Sequence, residues 1–160
     1  RVRVTPGTAL FWLRTTDKMT GLATELVNDG FGVNQVVYLL AKFLRRDVSG
    51  ICIEEPEIHL HPKALRNLVY ELVKLVKAER KTLIISSHSE HLVLSLLSAV
   101  AKKQINPDEV ACYLCTKTKE ETTFERQRVQ PDGRIEGGLA SFMEGELEDL
   151  KAILALSEEG

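Results

Sequence analysis

The spacing of apolar residues changes several times along the chain, and each change predicts a different element. Two short apolar runs, residues 51–53 and 82–86, are continuous rather than alternating, which is typical of buried strands in a parallel sheet. Each run precedes apolar residues at helical spacing, over residues 62–80 and 87–103. The order strand, helix, strand, helix predicts parallel strands joined by crossover helices.

The N-terminal part of the chain predicts strands followed by a helix. Residues 9–15 are apolar and aromatic, as in a strand, and residues 23–27 suggest a short strand within a polar, glycine-punctuated loop. Apolar residues recur at helical spacing over residues 33–46. Arg45 and Arg46 suit the negative end of that helix.

Polar residues and prolines predict where the helices begin. Asn28 or Asn34 is expected to cap the first helix, and Ser87 or Ser89 the last. Pro62 suits the first turn of the middle helix, where its missing N–H is not needed.

The C-terminal part has a different pattern. Residues 110–116 and 122–130 predict two strands joined by a charged turn, and residues 131–134 predict a further turn. Residues 142–156 predict an acidic amphipathic helix.

Together these elements predict an α/β fold in two parts. Residues 1–106 form a lobe with mainly parallel strands and crossover helices, and residues 107–160 form a small α+β extension. The net charge of −2 gives no general reason to expect nucleic acid or an acidic membrane as a partner. No apolar run approaches the roughly 18 residues that span a bilayer, so a cytoplasmic protein is predicted.

Three cysteines lie in apolar runs and are predicted to be buried structural thiols. Cys112 and Cys115 form a C-x-x-C sequence, but in a strand these positions face opposite ways. No second Cys or His pair follows to complete a zinc site. Cys52 lies in the run before the acidic residues.

Two adjacent carboxylates, Glu54 and Glu55, follow the apolar run 51–53. The carboxyl ends of parallel strands are where ligands bind open α/β sheets. One carboxylate can reach a Mg²⁺ ion or its water shell, while the other polarises an attacking water. A solvated acidic turn would explain the charges, but not the buried run before them.

His88 occupies the corresponding place after the next strand. It lies in a polar segment that opens a helix, where amide donors favour an anion such as phosphate. Because the two strand ends are expected at one edge of the sheet, His88 is a candidate for the same site.

The order of these motifs resembles that in a known protein family. An apolar strand ending in Glu-Glu-Pro-Glu, then His-Leu-His-Pro, a helix, and a strand ending in Ser-Ser-His is similar to the C-terminal half of ABC-type P-loop ATPases. The likeness is to the branch with RecF, SMC-like proteins and the overcoming-lysogenisation-defect nucleases. It implies that Glu54 assists Mg²⁺, Glu55 is the general base for ATP hydrolysis, and His88 is the switch histidine that senses the γ-phosphate. Residues 57–62 match the D-loop region, in which His59 is a nucleotide-binding candidate.

The segment 29–35 resembles the ABC signature motif at the start of a helix. The resemblance implies that it contacts ATP bound by the opposing subunit of a head-to-tail homodimer. The candidate nucleotide-binding residues there are Gly30, Gly32, Asn34 and Gln35.

No segment matches the phosphate-binding motif G-x-x-x-x-G-K-[ST], and the chain begins at Arg1. The chain is therefore predicted to be the C-terminal part of an ATPase whose P-loop comes from the rest of a parent protein or from another chain. In this family the strand 82–86 would lie beside the P-loop strand, so alone it would leave an apolar edge exposed. ATP and Mg²⁺ are the expected ligands, with hydrolysis in the intact parent and little in this chain alone.

Two other functions remain open from the sequence. A metal-dependent hydrolase is suggested by Glu55, Glu57, His59 and His61, which crowd one short stretch. A non-catalytic regulatory or interaction module is suggested by the acidic terminal helix. DNA repair, phage defence and nuclease control are all compatible with an ATPase of this type, so a nucleic-acid partner would act through the parent protein.

Overall fold

A computed structural model of the chain describes residues 2–4 and 11–136. The predicted terminal helix over residues 142–156 lies outside the described residues. The strands are β1 (Val2–Val4), β2 (Phe11–Thr16), β3 (Ala23–Glu25), β4 (Gly50–Glu54), β5 (Thr82–Ser86), β6 (Cys112–Lys117) and β7 (Thr122–Gln127). The α-helices are α1 (Phe31–Phe43), α2 (Pro62–Glu79) and α3 (Glu90–Ala101), with short 3₁₀ turns at Leu26–Asn28 and Pro107–Glu109.

The N-terminal strands form an antiparallel sheet in the order β1-β2-β3. Arg14 lies opposite Glu25 in the β2–β3 register, and their side chains approach to 3.8 Å. The Thr15 hydroxyl donates to a carboxylate oxygen of Asp29 at 2.5 Å, which ties this sheet to the turn before α1.

Strands β4 and β5 pair in parallel, as the sequence predicts. The register runs from Gly50 opposite Thr82 to Glu54 opposite Ser86, so both strands end at the same edge. Helix α2 is the crossover between them. Pro62 stands in its first turn, and the imidazole of His61 accepts from the Lys63 amide to cap it.

One face of the β4–β5 pair carries the hydrophobic core. Ile51, Ile53 and Leu83 pack on buried residues of α1 and α2, and Ile85 packs on a cluster from α2 and α3. The alternate side chains are exposed, including Ile84 at 60%. Within the described residues, this sheet is therefore covered on one face.

Helix α1 begins two residues earlier than predicted, and neither predicted asparagine caps it. The N-cap is Gly30, and it makes no side-chain capping bond. The side-chain amide of Asn34 instead donates to the carbonyl oxygens of Asp29 and Gly30, which precede it, at 3.3 and 3.4 Å. Asn28 lies in the preceding 3₁₀ turn.

The cation that binds the C-terminal end of α1 is a lysine and not the predicted arginine pair. Arg45 lies beyond the helix and pairs with Asp47. The buried side chain of Lys81 donates instead to the carbonyl oxygens of Phe43 and Arg45. A cation there satisfies carbonyl groups that have no partner within the helix.

The C-terminal hairpin of β6 and β7 joins the core of the helices. One hydrophobic cluster includes Val73 of α2, Val100 of α3, and Val129 and Ile135 after the hairpin. The turn over residues 131–134 closes against α3, and Gly133 adopts a positive φ of 79° there. The division at residue 106 stays a prediction. Over the described part of the chain, no helix is both long and apolar enough to cross a bilayer.

The prediction that all three cysteines are buried is wrong. Cys52 and Cys115 are exposed, whereas Cys112 is half-buried against the core cluster. Cys52 lies on the uncovered face of β4, and Cys115 lies on the opposite face of β6 from Cys112. Burial raises the pKa of the Cys112 thiol.

Candidate functional site

The loop between β4 and α2, residues 55–61, is the centre of the candidate site. Its first residue continues the strand pairing, since the Glu55 amide donates to the Ser86 carbonyl at 2.8 Å. Two further backbone bonds turn the loop, from Ile58 to Glu55 and from Leu60 to Glu57. The parallel register therefore brings this loop beside the one that follows β5.

Two residues of this loop hold an unusual backbone conformation. Glu55 has a φ of 44° and His59 a φ of 64°, both in the left-handed region that favours glycine. Such conformations persist where surrounding contacts enforce them, and they concentrate at functional sites. The backbone geometry thus adds an independent reason to place a site here.

The two adjacent carboxylates occupy different environments. Glu54, the last residue of β4, is exposed on the uncovered face of the sheet, whereas Glu55 is half-buried, with 37% of its side chain exposed. A carboxylate at the exposed end of a strand fits Mg²⁺, because this ion prefers oxygen ligands and keeps several of its waters.

Glu55 and His88 lie together, as the sequence predicts for two neighbouring strand ends. The distance from Glu55 Oε1 to His88 Nε2 is 3.7 Å, and the His88 side chain is 93% exposed. At this edge of the parallel sheet, the carboxylate can accept a hydrogen bond from a water while the imidazole donates an N–H to an anion. The two residues therefore form a candidate acid–base pair.

Glu57 links the two loops directly. Its Oε1 atom accepts from the Ser87 hydroxyl at 2.5 Å and from the His88 amide at 3.2 Å. The contact between Glu57 and Ser87 is not predicted from the sequence. The predicted parallel pairing of the two strands is the feature that could have indicated this contact, because loops that leave aligned strand ends must run side by side.

On its other side the loop packs against the start of α1. A Cβ atom on Gly32 would lie 2.6 Å from the His59 carbonyl oxygen, so only glycine fits. The side-chain amide of Gln35 donates to the Pro56 carbonyl at 3.2 Å, and the ring of Phe31 lies 5.4 Å from that of His59. Three of the predicted nucleotide-binding residues (Gly32, Gln35 and His59) thus meet at this contact.

The other two predicted residues of α1 lie nearer to solvent. Gly30 is exposed, and a Cβ atom there would contact nothing within 4 Å. Asn34 is half-buried and bonds to the turn before the helix. The first amides of α1 have no acceptor within the helix, which is the general basis for anion binding at helix N-termini.

An open groove of ≈ 560 Å³ runs between α1 and β4. It extends from Arg45 at one end to Gln35, Glu54 and Pro56 at the other. The groove therefore connects the start of α1 with the acidic end of β4.

The residues suggested for a metal-dependent hydrolase do not form a metal site in the described part of the chain. Among residues 11–136 no group of three or more His, Cys, Asp and Glu side chains is arranged to hold a metal ion. His61 is used as the cap of α2, and His59 contacts Phe31. The four residues of that hypothesis are close in sequence but do not converge.

Comparisons with known proteins support the resemblance to P-loop ATPases. A family model described as "AAA domain, putative AbiEii toxin, Type IV TA system" matches residues 15–95, just over half of the chain. No curated protein matches the chain.

A solved structure from work on "ATP-driven dimerization and DNA stimulated activation of SMC ATPases" is similar in fold. Its TM-score is 0.56, with 9% sequence identity, over 94% of this chain and 80% of that chain. At this identity the likeness concerns the fold alone. The match over residues 15–95 and the shared fold together show that the chain belongs to the AAA-domain family of P-loop ATPases.

Proposed function

We propose that this chain supplies part of a Mg²⁺-dependent ATP-hydrolysing site, in which Glu54 assists the metal, Glu55 activates the attacking water and His88 senses the γ-phosphate. The observation that carries the proposal is the 3.7 Å pairing of Glu55 and His88 at the end of two parallel strands. Family membership supports a general ATPase function.

The proposed chemistry follows from the environment of each group. Glu55 orients a water and accepts its proton as the water oxygen bonds to the γ-phosphorus and ADP leaves. His88, being exposed, can turn to donate an N–H to a γ-phosphate oxygen. Mg²⁺, when bound, neutralises charge on the β- and γ-phosphates. Glu54 would give the ion an oxygen ligand or would accept hydrogen bonds from its bound waters.

The start of α1 is proposed to contact ATP held by a second copy of the protein in a head-to-tail dimer. Gly30 and Asn34 would present the exposed part of this surface. Gly32 and Gln35 would act mainly by shaping it, because Gly32 has no room for a side chain and the Gln35 side chain is bonded to the loop. His59 is exposed and would belong to the part that contacts the nucleotide. The fold shared with SMC ATPases, whose dimerization is ATP-driven, supports this arrangement.

The phosphate-binding loop is proposed to come from outside these 160 residues. None of them matches the P-loop motif, whose lysine and amide cradle hold the phosphates of ATP. A parent chain or a separate subunit would supply it. What the ATPase drives, and any nucleic-acid partner, would belong to that larger assembly.

Replacement of Glu54 tests the proposed division of labour. In the full-length protein, Glu54→Gln is expected to raise the Mg²⁺ concentration for half-maximal ATP turnover by about tenfold or more, because a neutral amide is a weaker ligand for Mg²⁺. The measurement is phosphate release against Mg²⁺ concentration at saturating ATP.

Glu71→Gln is the matched control, since Glu71 lies on the surface of α2 beside Lys74. An unchanged Mg²⁺ requirement in Glu54→Gln would refute the role of that residue. A wild-type protein that hydrolyses no ATP would refute the proposed function as a whole.

A further inference from the structure

The carboxylate of Glu57 is the only described side chain of the β4–α2 loop that hydrogen-bonds to the loop after β5. Its Oε1 atom accepts from Ser87 Oγ at 2.5 Å and from the backbone amide of His88 at 3.2 Å. Hydrogen bonds to an ionised carboxylate are about twice as strong as neutral ones. Glu57 is therefore well suited to fix the position of the second loop against the first.

The surroundings of Glu57 separate it from Glu54 and Glu55. Its Oε2 atom is enclosed by protein, and no described residue donates to it, while Oε1 already has two donors. The contacts of Glu57 therefore lie within the protein, whereas Glu54 is exposed at the end of β4. Its geometry indicates a structural task within the site.

The bonds around Ser87 extend this task to the start of α3. The Ser87 hydroxyl donates to Glu57 and accepts from the Ser89 amide at 2.9 Å. Ser89 is the N-cap of α3 and accepts from the Leu92 amide at 3.4 Å. One carboxylate thus orders a continuous series of bonds from the first loop to the first turn of the helix.

His88 depends on these bonds for its position. Its side chain is 93% exposed and has little packing to hold it, so the position of the backbone determines which atoms the imidazole can reach. Three hydrogen bonds fix that backbone relative to Glu55. The Glu55 amide donates to the Ser86 carbonyl at 2.8 Å, and Glu57 accepts from the Ser87 hydroxyl and from the His88 amide.

We propose that Glu57 is a positioning residue, which holds the β5–α3 loop so that the imidazole of His88 stands beside Glu55. The expected effect on catalysis rests on the proposed ATPase function. The contact between the two loops does not depend on that function. Loss of the carboxylate should release the His88 amide and lower the rate of the chemical step, with little effect on ATP affinity.

Hydrogen exchange in the full-length protein tests the contact without reference to catalysis. Glu57→Ala is expected to speed exchange of the Ser87–Leu92 segment by about ten- to hundredfold, the range expected for loss of a charged hydrogen bond. Glu57→Gln keeps an acceptor oxygen and should show a smaller increase, and it remains informative if the alanine variant folds poorly. Glu71→Gln, on the surface of α2, should leave exchange in this segment unchanged.

Turnover of the same variants tests the consequence. Glu57→Ala is expected to lower kcat by about 10- to 100-fold while KM for ATP changes less than about threefold, and Glu57→Gln should recover part of the loss. Unchanged exchange would overturn the inference, as would faster exchange with an unchanged kcat. If wild-type protein hydrolyses no ATP, the proposed function fails, while the exchange result still decides whether Glu57 holds the loop.

Discussion

Single residues at the candidate site carry both strain and specific contacts. Glu55 and His59 hold left-handed backbones without being glycine, at a cost of about 1–3 kcal/mol each. Gly32 and the His59 carbonyl meet so closely that a methyl group would not fit between them. Local preference alone would not select these conformations, so the packing on both sides of the loop must enforce them.

The two cysteines of β6 give a prediction at the residue scale. At pH 8, iodoacetamide is expected to label Cys115 before Cys112, because Cys115 is exposed while burial raises the pKa of the Cys112 thiol and reduces its thiolate fraction. Peptide mass spectrometry of samples taken over time measures both rates. In urea the two rates should become similar, and faster labelling of Cys112 in the native protein would contradict the strand orientation.

Residue-level prediction from the sequence succeeds where one short segment decides the outcome. Pro62 is placed correctly in the first turn of α2, and Ser89 caps α3, because each follows a local rule. Asn34 shows the limit of such rules, since its amide bonds backward to the preceding turn rather than capping α1. The roles of Glu57 and Lys81 depend on segments about 30 or more residues away, and no local pattern contains that information.

At the scale of elements, two connections fix helix α1 to the strand pair β4–β5 and its loop. Lys81, just before β5, binds the carbonyl groups at the end of α1, while Gln35 near the start of α1 binds the β4–α2 loop. Helix α1 is thereby fixed at both ends to the β4–β5 unit. The strand bounds of β5 agree fully with the sequence prediction, because a continuous apolar run has clear polar limits.

The contact between α1 and the loop gives a prediction at this scale. Gly32→Ala is expected to destabilise the protein by about 1–3 kcal/mol, since the new methyl group would lie 2.6 Å from the His59 carbonyl oxygen. For a chain of this size, this corresponds to about 2–4 °C of melting temperature per kcal/mol. Thermal unfolding followed by circular dichroism measures the shift.

Gly30→Ala is the matched control, because a Cβ atom at Gly30 meets nothing within 4 Å. Its cost should stay below about 1 kcal/mol, from a weaker N-cap. Equal destabilisation by the two substitutions would mean that α1 does not pack on the loop as described.

At the scale of the whole molecule, the β4–β5 sheet is covered on one face only within the described residues. Parallel sheets in α/β proteins are normally covered on both faces, yet Cys52 and Ile84 stand exposed on the second face here. The sequence predicts the parallel pair and the acidic edge from residues 50–88, where strand and helix signals alternate clearly. It does not predict which residues meet across the loops, since that depends on the assembled layers.

Nucleotide binding by the 160-residue chain alone is the prediction at this scale. Titration calorimetry with ATP and Mg²⁺ is expected to give a dissociation constant in the millimolar range or weaker, because the P-loop supplies most phosphate contacts in this family and none of these residues matches it. Micromolar binding would contradict the proposal that the phosphate-binding loop comes from elsewhere.

The most direct measurement for the central claim is ATP turnover by the full-length protein with Glu55 and with Glu55→Gln. We expect kcat to fall by about 10²–10⁴-fold while ATP binding is retained, because the amide keeps the shape of the carboxylate but cannot accept a proton from water. An unchanged kcat in Glu55→Gln would contradict the proposed general-base role of Glu55 and would favour a non-catalytic module.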